Sequence, residues 1–168
     1  MASNYAVLFA IDCNQFAGSV NSQVRGISLN AQKTQMFVGT FGHEVWRVPI
    51  NMTQRNSGAA ENLIYGHYAP LMKDNNEAWG LAVFQNKDCA VTVSDDSTLR
   101  VWDLANHKMM KCVSLLVDAK GANIPMDATT QENSKSTMGR SVDISLNGAH
   151  CAVGLRDGSL RVYNTSTW

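Results

Sequence analysis

The chain has 168 residues, 17% of them charged and 45% apolar, and Lys+Arg and Asp+Glu stand equal at 14 each, so its formal net charge is zero. That balance excludes long-range electrostatic capture by nucleic acid or by an anionic membrane as the organising interaction. A charged share below the roughly 25% usual for soluble domains suits stacked sheets whose strands are mostly buried.

In chain order, period-2 alternation and β-branched enrichment predict strands at Tyr5–Ile11, Val24–Leu29, Met36–Gly39, Glu44–Val48, Leu63–Tyr65 and Trp79–Phe84. The series continues with Cys89–Val93, Leu99–Asp103, Lys111–Leu116, Ser141–Ser145, His150–Gly154 and Ser159–Asn164. No stretch carries a sustained helical stripe, so the chain reads as all-β. Tyr5–Ile11 is the longest apolar run near the N-terminus, but its 7 residues fall far below the ~20 of a membrane helix and no basic segment precedes it. The reading is a soluble, intracellular protein with no membrane partner and no nucleic-acid partner. Cys13, Cys89, Cys112 and Cys151 are scattered without a C-x-x-C pair, and Cys89 and Cys151 fall inside strands as small hydrophobes.

The strands repeat. Val24–Val48, Trp79–Leu104 and Ser141–Asn164 share one order: apolar strand, polar turn, small-residue strand, tight turn, then a strand ending on or near an aromatic. Trp102 falls on Tyr163 at an offset of 61, and the Val38-Gly39-Thr40 corner falls on Thr92-Val93-Ser94 at an offset of 54. Recurrence of this kind marks a propeller, whose blades need about 40–45 residues. The excess lies in insertions at 51–61 and 119–138, with a shorter one at Tyr68–Asn76. The second, polar and nearly free of large apolar residues, predicts disorder or a functional loop. The whole of 1–168 then forms one partial propeller, with blades at about 5–48, 63–104 and 111–164. Three blades cannot close a ring that takes four to eight, so the remaining blades are expected from a longer chain.

Gly66-His67 and Trp102-Asp103 bracket three predicted strands, with 35 residues from His67 to Trp102. This spacing with this strand pattern is the WD40-repeat signature. The resemblance to the WD40 family implies a relay of His67, Thr92, Asp96 and Trp102 within that blade, and the donor and acceptor inventory of the four side chains fits it. Asp96 accepts from the His67 ring, and Thr92 bridges His67 to the Trp102 indole. The first repeat lacks the acidic turn residue and the third has Tyr163-Asn164 in place of Trp-Asp, so only the middle repeat carries the set. Arg100 and Arg161 occupy equivalent places and are expected on a solvated face. An Asp–His–Thr relay invites an enzyme reading, but Thr92 lies mid-strand under an indole and no oxyanion site is offered. His43, His107 and His150 lack metal-ligand spacing. No catalytic, cofactor or metal site is expected.

Four stretches narrow the family: VRGISLN…MFVGTFGHEVWRV (Val24–Val48), LIYGHYAP…EAWGLAVF (Leu63–Phe84), AVTVSDDSTLRVWDL (Ala90–Leu104) and GRSVDISLNGAHCAVGLRDGSLRVYN (Gly139–Asn164). Together they resemble the echinoderm microtubule-associated protein-like (EML) family, over nearly the whole span from Val7 to Asn164. The resemblance implies a non-catalytic scaffold on microtubules of the cytoskeleton, cilium or axoneme, with tubulin or microtubule-associated proteins as partners. Neither a HELP motif nor an N-terminal coiled coil is visible in the sequence. The competing reading is a WD40 adaptor subunit of a signalling or ubiquitin-ligase complex. For either, the expected contact residues are Tyr68, Lys73, Asp74 and Asn75 in the short insertion, and Arg156.

Overall fold

The computed structural model describes residues 7–67, 77–117, 124 and 137–168. The short insertion with Tyr68, Lys73, Asp74 and Asn75, and nearly all of 119–138 with its expected disorder, lie outside the described residues. Among the described residues the protein is built of strands, with one 3-10 turn at Cys13–Gln15.

The first antiparallel sheet takes β1 (Val24–Leu29), β2 (Gln35–Thr40), β3 (Glu44–Asn51), the short β4 (Asn56–Ser57) and β5 (Glu61–Tyr65), the last two both pairing with β3. The second takes β6 (Ala78–Val83), β7 (Cys89–Ser94), β8 (Thr98–Asp103) and β9 (Lys108–Ser114) in chain order. The third takes β10 (Gly139–Ile144), β11 (His150–Leu155) and β12 (Leu160–Asn164). The first strands of the sheets are the inner ones: β6 lies between β1 and β10. Three meandering sheets stacked by their faces, inner strands side by side, form part of a propeller.

The blade boundaries differ from those expected. Leu63–Tyr65 belongs to β5 and closes the first sheet against β3, and Lys111–Ser114 belongs to β9 and closes the second. The sheets therefore span 24–65, 78–114 and 139–164. The run expected as a strand at Tyr5–Ile11 joins no ladder over its described residues 7–11. Its alternation has another cause. Phe9, Ile11, Cys13 and Phe16 cover Trp46, Val48 and Ile50 on the outer face of the first sheet, with the Phe16 and Trp46 ring centroids 4.8 Å apart.

Two further cores lie between sheets. Phe37, Val45, Leu63, Leu81, Val83 and Trp102 fill the space between the first and second. Phe84, Val91, Val93, Leu99, Val101, Ile144 and Val153 fill that between the second and third. Close approach is needed at the inner strands. A Cβ on Gly80 would stand 2.7 Å from Val93 Cγ2 and 3.0 Å from the Val142 backbone nitrogen, so any side chain there would drive the second and third sheets apart. Parts of the outer faces remain open: Ile27 is 64% exposed on β1, beyond the cover over Trp46 and Val48, and Leu160 and Val162 are 69% and 62% exposed on β12.

The repeat is visible in the backbone. The turns entering the third strand of each sheet place His43, Ser97 and Gly158 at φ of 64°, 56° and 84°. Asp96 and Asp157 brace two of these turns alike. Asp96 Oδ1 accepts from the Thr98 N–H at 2.9 Å, and Asp157 Oδ1 accepts from the Ser159 N–H at 2.8 Å.

Candidate functional site

The middle repeat brings four polar side chains together out of water. His67 Nδ1 lies 3.0 Å from Asp96 Oδ2, His67 Nε2 lies 2.6 Å from Thr92 Oγ1, and Trp102 Nε1 donates to Thr92 Oγ1 at 2.7 Å. All four residues are buried. An indole can only donate and a carboxylate only accept, so Trp102 donates to Thr92 and the His67 Nδ1–H donates to Asp96. Gly66 makes room for it, since a Cβ there would stand 2.6 Å from the Trp102 ring.

The relay does not stay within one blade as expected. His67 follows β5, the outer strand of the first sheet, while Thr92, Asp96 and Trp102 belong to the second. It is a clasp between neighbouring sheets. Arg100 belongs to it as well, instead of lying on a solvated face: Nη2 donates to Asp96 Oδ2 at 2.9 Å and Nε to Thr98 Oγ1 at 3.2 Å. Arg161, its equivalent, donates to the Leu115 carbonyl of the second sheet's outer end. Burial opposes ionisation of Asp96. The charge and hydrogen bond of His67, the Arg100 guanidinium and the Thr98 hydroxyl outweigh burial and hold the carboxyl at about 2.

The first sheet has a carboxylate of its own that the sequence pattern did not single out. Glu44 is fully buried and accepts from Ser19 Oγ at 2.6 Å, the Val20 N–H at 2.6 Å, Thr40 Oγ1 at 2.8 Å and Trp46 Nε1 at 3.0 Å. Burial works against its charge, but these four donors keep its pKa below the usual value. The offset of 54 puts Glu44 on Thr98, two places after the turn position where an acid was sought.

A second cluster sits at the inner strands. Each opens on a β-bulge: the register shifts between Val24 and Gly26, between Ala78 and Gly80, and between Gly139 and Ser141. The extra residues are Arg25, Trp79 and Arg140. Bulges re-aim side chains, and here the three meet. The Arg25 guanidinium lies 5.1 Å and the Arg140 guanidinium 4.8 Å from the Trp79 ring centroid, within cation–π range. Arg25 Nε pairs with Glu77 Oε2 at 3.0 Å. Asp95 accepts from Trp79 Nε1 at 3.0 Å through one oxygen and from Arg140 through the other. The sequence carried a signal for this row: the turn offsets of 54 and 61 take residue 25 to 79 and residue 79 to 140.

Of the expected contact residues, Arg156 alone lies among the described ones. It is exposed; its N–H donates to the Met138 carbonyl at 2.8 Å and its Nη1 lies 3.4 Å from Met138 Sδ. Among the described residues no three His, Cys, Asp or Glu side chains gather to hold a metal ion. No described helix is long and apolar enough to cross a membrane.

No protein-family model matches the chain. A curated relative, the ciliary WD repeat-containing protein ctxp80 of Euplotoides octocarinatus, is 34% identical over 111 residues, which is 64% of this chain. The chain spans 15% of the length of that relative. Fold and similarity agree: the chain is all-β, its three antiparallel sheets are those of a partial WD40-type propeller, and it is similar to a WD repeat protein.

Proposed function

We propose that the chain serves as a non-catalytic protein-interaction scaffold of the microtubule-associated, EML-like type, working on cytoskeletal, ciliary or axonemal microtubules. The observation that carries the non-catalytic part is the saturated relay. The Thr92 hydroxyl is buried, accepts from an indole and meets an imidazole already shared with a carboxylate, so no group is left to attack a substrate. His67, Thr92, Asp96 and Trp102 then have a structural task, fixing the first sheet against the second. Ionised, fully bonded networks of this kind define one arrangement of the elements they join.

The microtubule assignment is supported by the resemblance of the four repeat stretches to the EML family and by similarity to a protein named as ciliary. Tubulin or microtubule-associated proteins are the proposed partners, and the proposed unit is one partial propeller over 1–168 completed by blades of a longer chain. Zero net charge favours a second reading, since acidic tubulin tails favour a basic surface. In that reading the chain is a WD40 adaptor of a signalling or ubiquitin-ligase complex, holding a peptide through its loops.

Co-sedimentation with taxol-stabilised microtubules separates the two. Pelleting at low salt that weakens at moderate salt supports the microtubule reading. A chain that stays in the supernatant at low salt sinks it in favour of the adaptor.

A further inference from the structure

The row of bulge residues leaves an imbalance of charge at one place. Arg25 is matched by Glu77, and Arg140 by an Asp95 carboxylate that also serves the Trp79 indole. Arg156 joins the same corner. Arg140 Nη2 and Arg156 Nη1 lie 4.0 Å and 3.4 Å from one sulfur, Met138 Sδ. Among the described residues no carboxylate lies within ion-pair distance of Arg156. The adjacent Asp157 is turned to the N–H and hydroxyl of Ser159 at 2.8 Å and 2.6 Å. Among the described residues, three guanidiniums and two carboxylates around Trp79 and Met138 therefore leave one positive charge.

We propose that the corner formed by Arg140 and Arg156 around Met138, beside the Trp79 ring, is a docking point for a carboxylate side chain of a partner peptide. Two guanidiniums held against one thioether repel each other, and an anion between their free N–H groups relieves that repulsion. Planar N–H forks match the geometry of a carboxylate, which can accept two parallel bonds. Charge decides the class of anion. A monoanion brings the local sum to zero, whereas a phosphate dianion overshoots it and faces Asp95. Trp79, half-buried and flanked by cations, offers an aromatic surface to the peptide beside the carboxylate. The position suits a partner too, since the inner ends of three successive sheets converge there.

This inference rests on the protein-binding reading above and names the chemistry of the partner. Its test is fluorescence anisotropy of a labelled glutamate-rich peptide against the purified chain, beside its glutamine and phosphoserine counterparts. Saturable binding of the glutamate peptide is expected, weakened about five- to tenfold by Arg156→Gln and by Arg140→Gln and unchanged by Lys111→Gln on the exposed part of β9. Arg156→Gln is the decisive variant, because the Arg156 side chain pairs with no carboxylate among the described residues. Equal binding of the glutamine peptide, or no loss in Arg156→Gln, overturns the proposal. Stronger binding of the phosphoserine peptide overturns the assignment to carboxylates. The same variants in microtubule co-sedimentation keep the two ideas apart. Pelleting without glutamate-peptide binding rejects only the docking point. Peptide binding lost in Arg156→Gln, without pelleting, rejects only the microtubule reading.

Discussion

His67 and Asp96 hold each other across a sheet boundary: the imidazole hangs from the end of β5 in the first sheet, and the carboxylate 3.0 Å away sits in the β7–β8 turn of the second. The pair joins the outer rim of one blade to a turn of the next. Removing either member therefore loosens two blades.

For Asp96→Asn, the buried imidazole and the half-buried Arg100 lose their anion while the shape of the site is kept. The expected loss is about 3 kcal/mol in urea unfolding, the usual cost of breaking one half of a buried pair. Trp102→Phe removes the donor to Thr92 together with part of a buried ring system, so its expected cost is about 2 kcal/mol, still below that of Asp96→Asn. The reverse order would mean that the indole, and not the ion pair, holds the sheets.

Stability is expected to depend on pH in an acid window. Asp96 sits at about 2 in the folded chain against an ordinary 3.8. The folded state therefore binds fewer protons than the unfolded one between those values, and stability rises with pH there. The contribution is fully present above about pH 4–5 and is lost as pH falls through 2, amounting to roughly 2 kcal/mol. Glu44 is shifted in the same direction and adds to the slope. Urea midpoints between pH 2 and 6 are expected to show a flatter dependence for Asp96→Asn than for the parent chain, with the Glu44 part remaining.

Glu44→Gln tests the first sheet separately. The four donors around Glu44 include Ser19 Oγ and the Val20 N–H, which tie the N-terminal covering segment to β3. An amide cannot accept from all four, and one of its own N–H groups must face a donor. About 2–3 kcal/mol is expected to be lost. Limited proteolysis is expected to cut faster before Val24, releasing the segment that carries Phe9, Ile11 and Phe16. Unchanged cleavage there would detach Glu44 from the anchoring of that segment.

Much of this architecture was legible because a repeat writes the same physical requirement several times. The left-handed turn positions at His43, Ser97 and Gly158 obey the offsets read from the sequence, and the hydrogen bonds at the middle repeat join Trp102 to Thr92, Thr92 to His67 and His67 to Asp96. What stayed hidden depends on relations between strands. A bulge is a mismatch of two registers, so nothing in Val24-Arg25-Gly26 alone announces that Arg25 is re-aimed toward Trp79. The pairing of Leu63–Tyr65 with β3 is tertiary in the same way. Glu44 was missed because the carboxylate serving the first sheet sits on a strand instead of in the turn. Tyr5–Ile11 misled for a simple reason: alternating side chains suit a segment laid across an apolar face as well as one in a ladder.

The last prediction concerns the spacing of the sheets. A methyl group on Gly80 would meet Val93 Cγ2 at 2.7 Å, and the Val142 nitrogen and Ser141 carbonyl carbon at 3.0 Å and 3.1 Å. A side-chain methyl can turn aside, but the backbone of β10 cannot move without shifting the third sheet. Gly80→Ala is therefore expected to cost about 1–3 kcal/mol by overpacking, despite the strand propensity that alanine gains over glycine. Near-ultraviolet circular dichroism should lose intensity, because Trp79 and the Arg140 stacked on it straddle the seam. At Gly158, in an open turn at φ 84°, an added Cβ meets nothing within 4 Å. Gly158→Asn, suited to that backbone region, is expected to leave unfolding within about 0.5 kcal/mol of the parent. If Gly80→Ala matched that second variant in stability and spectrum, close approach of β6 and β10 would not be what holds the two sheets in place.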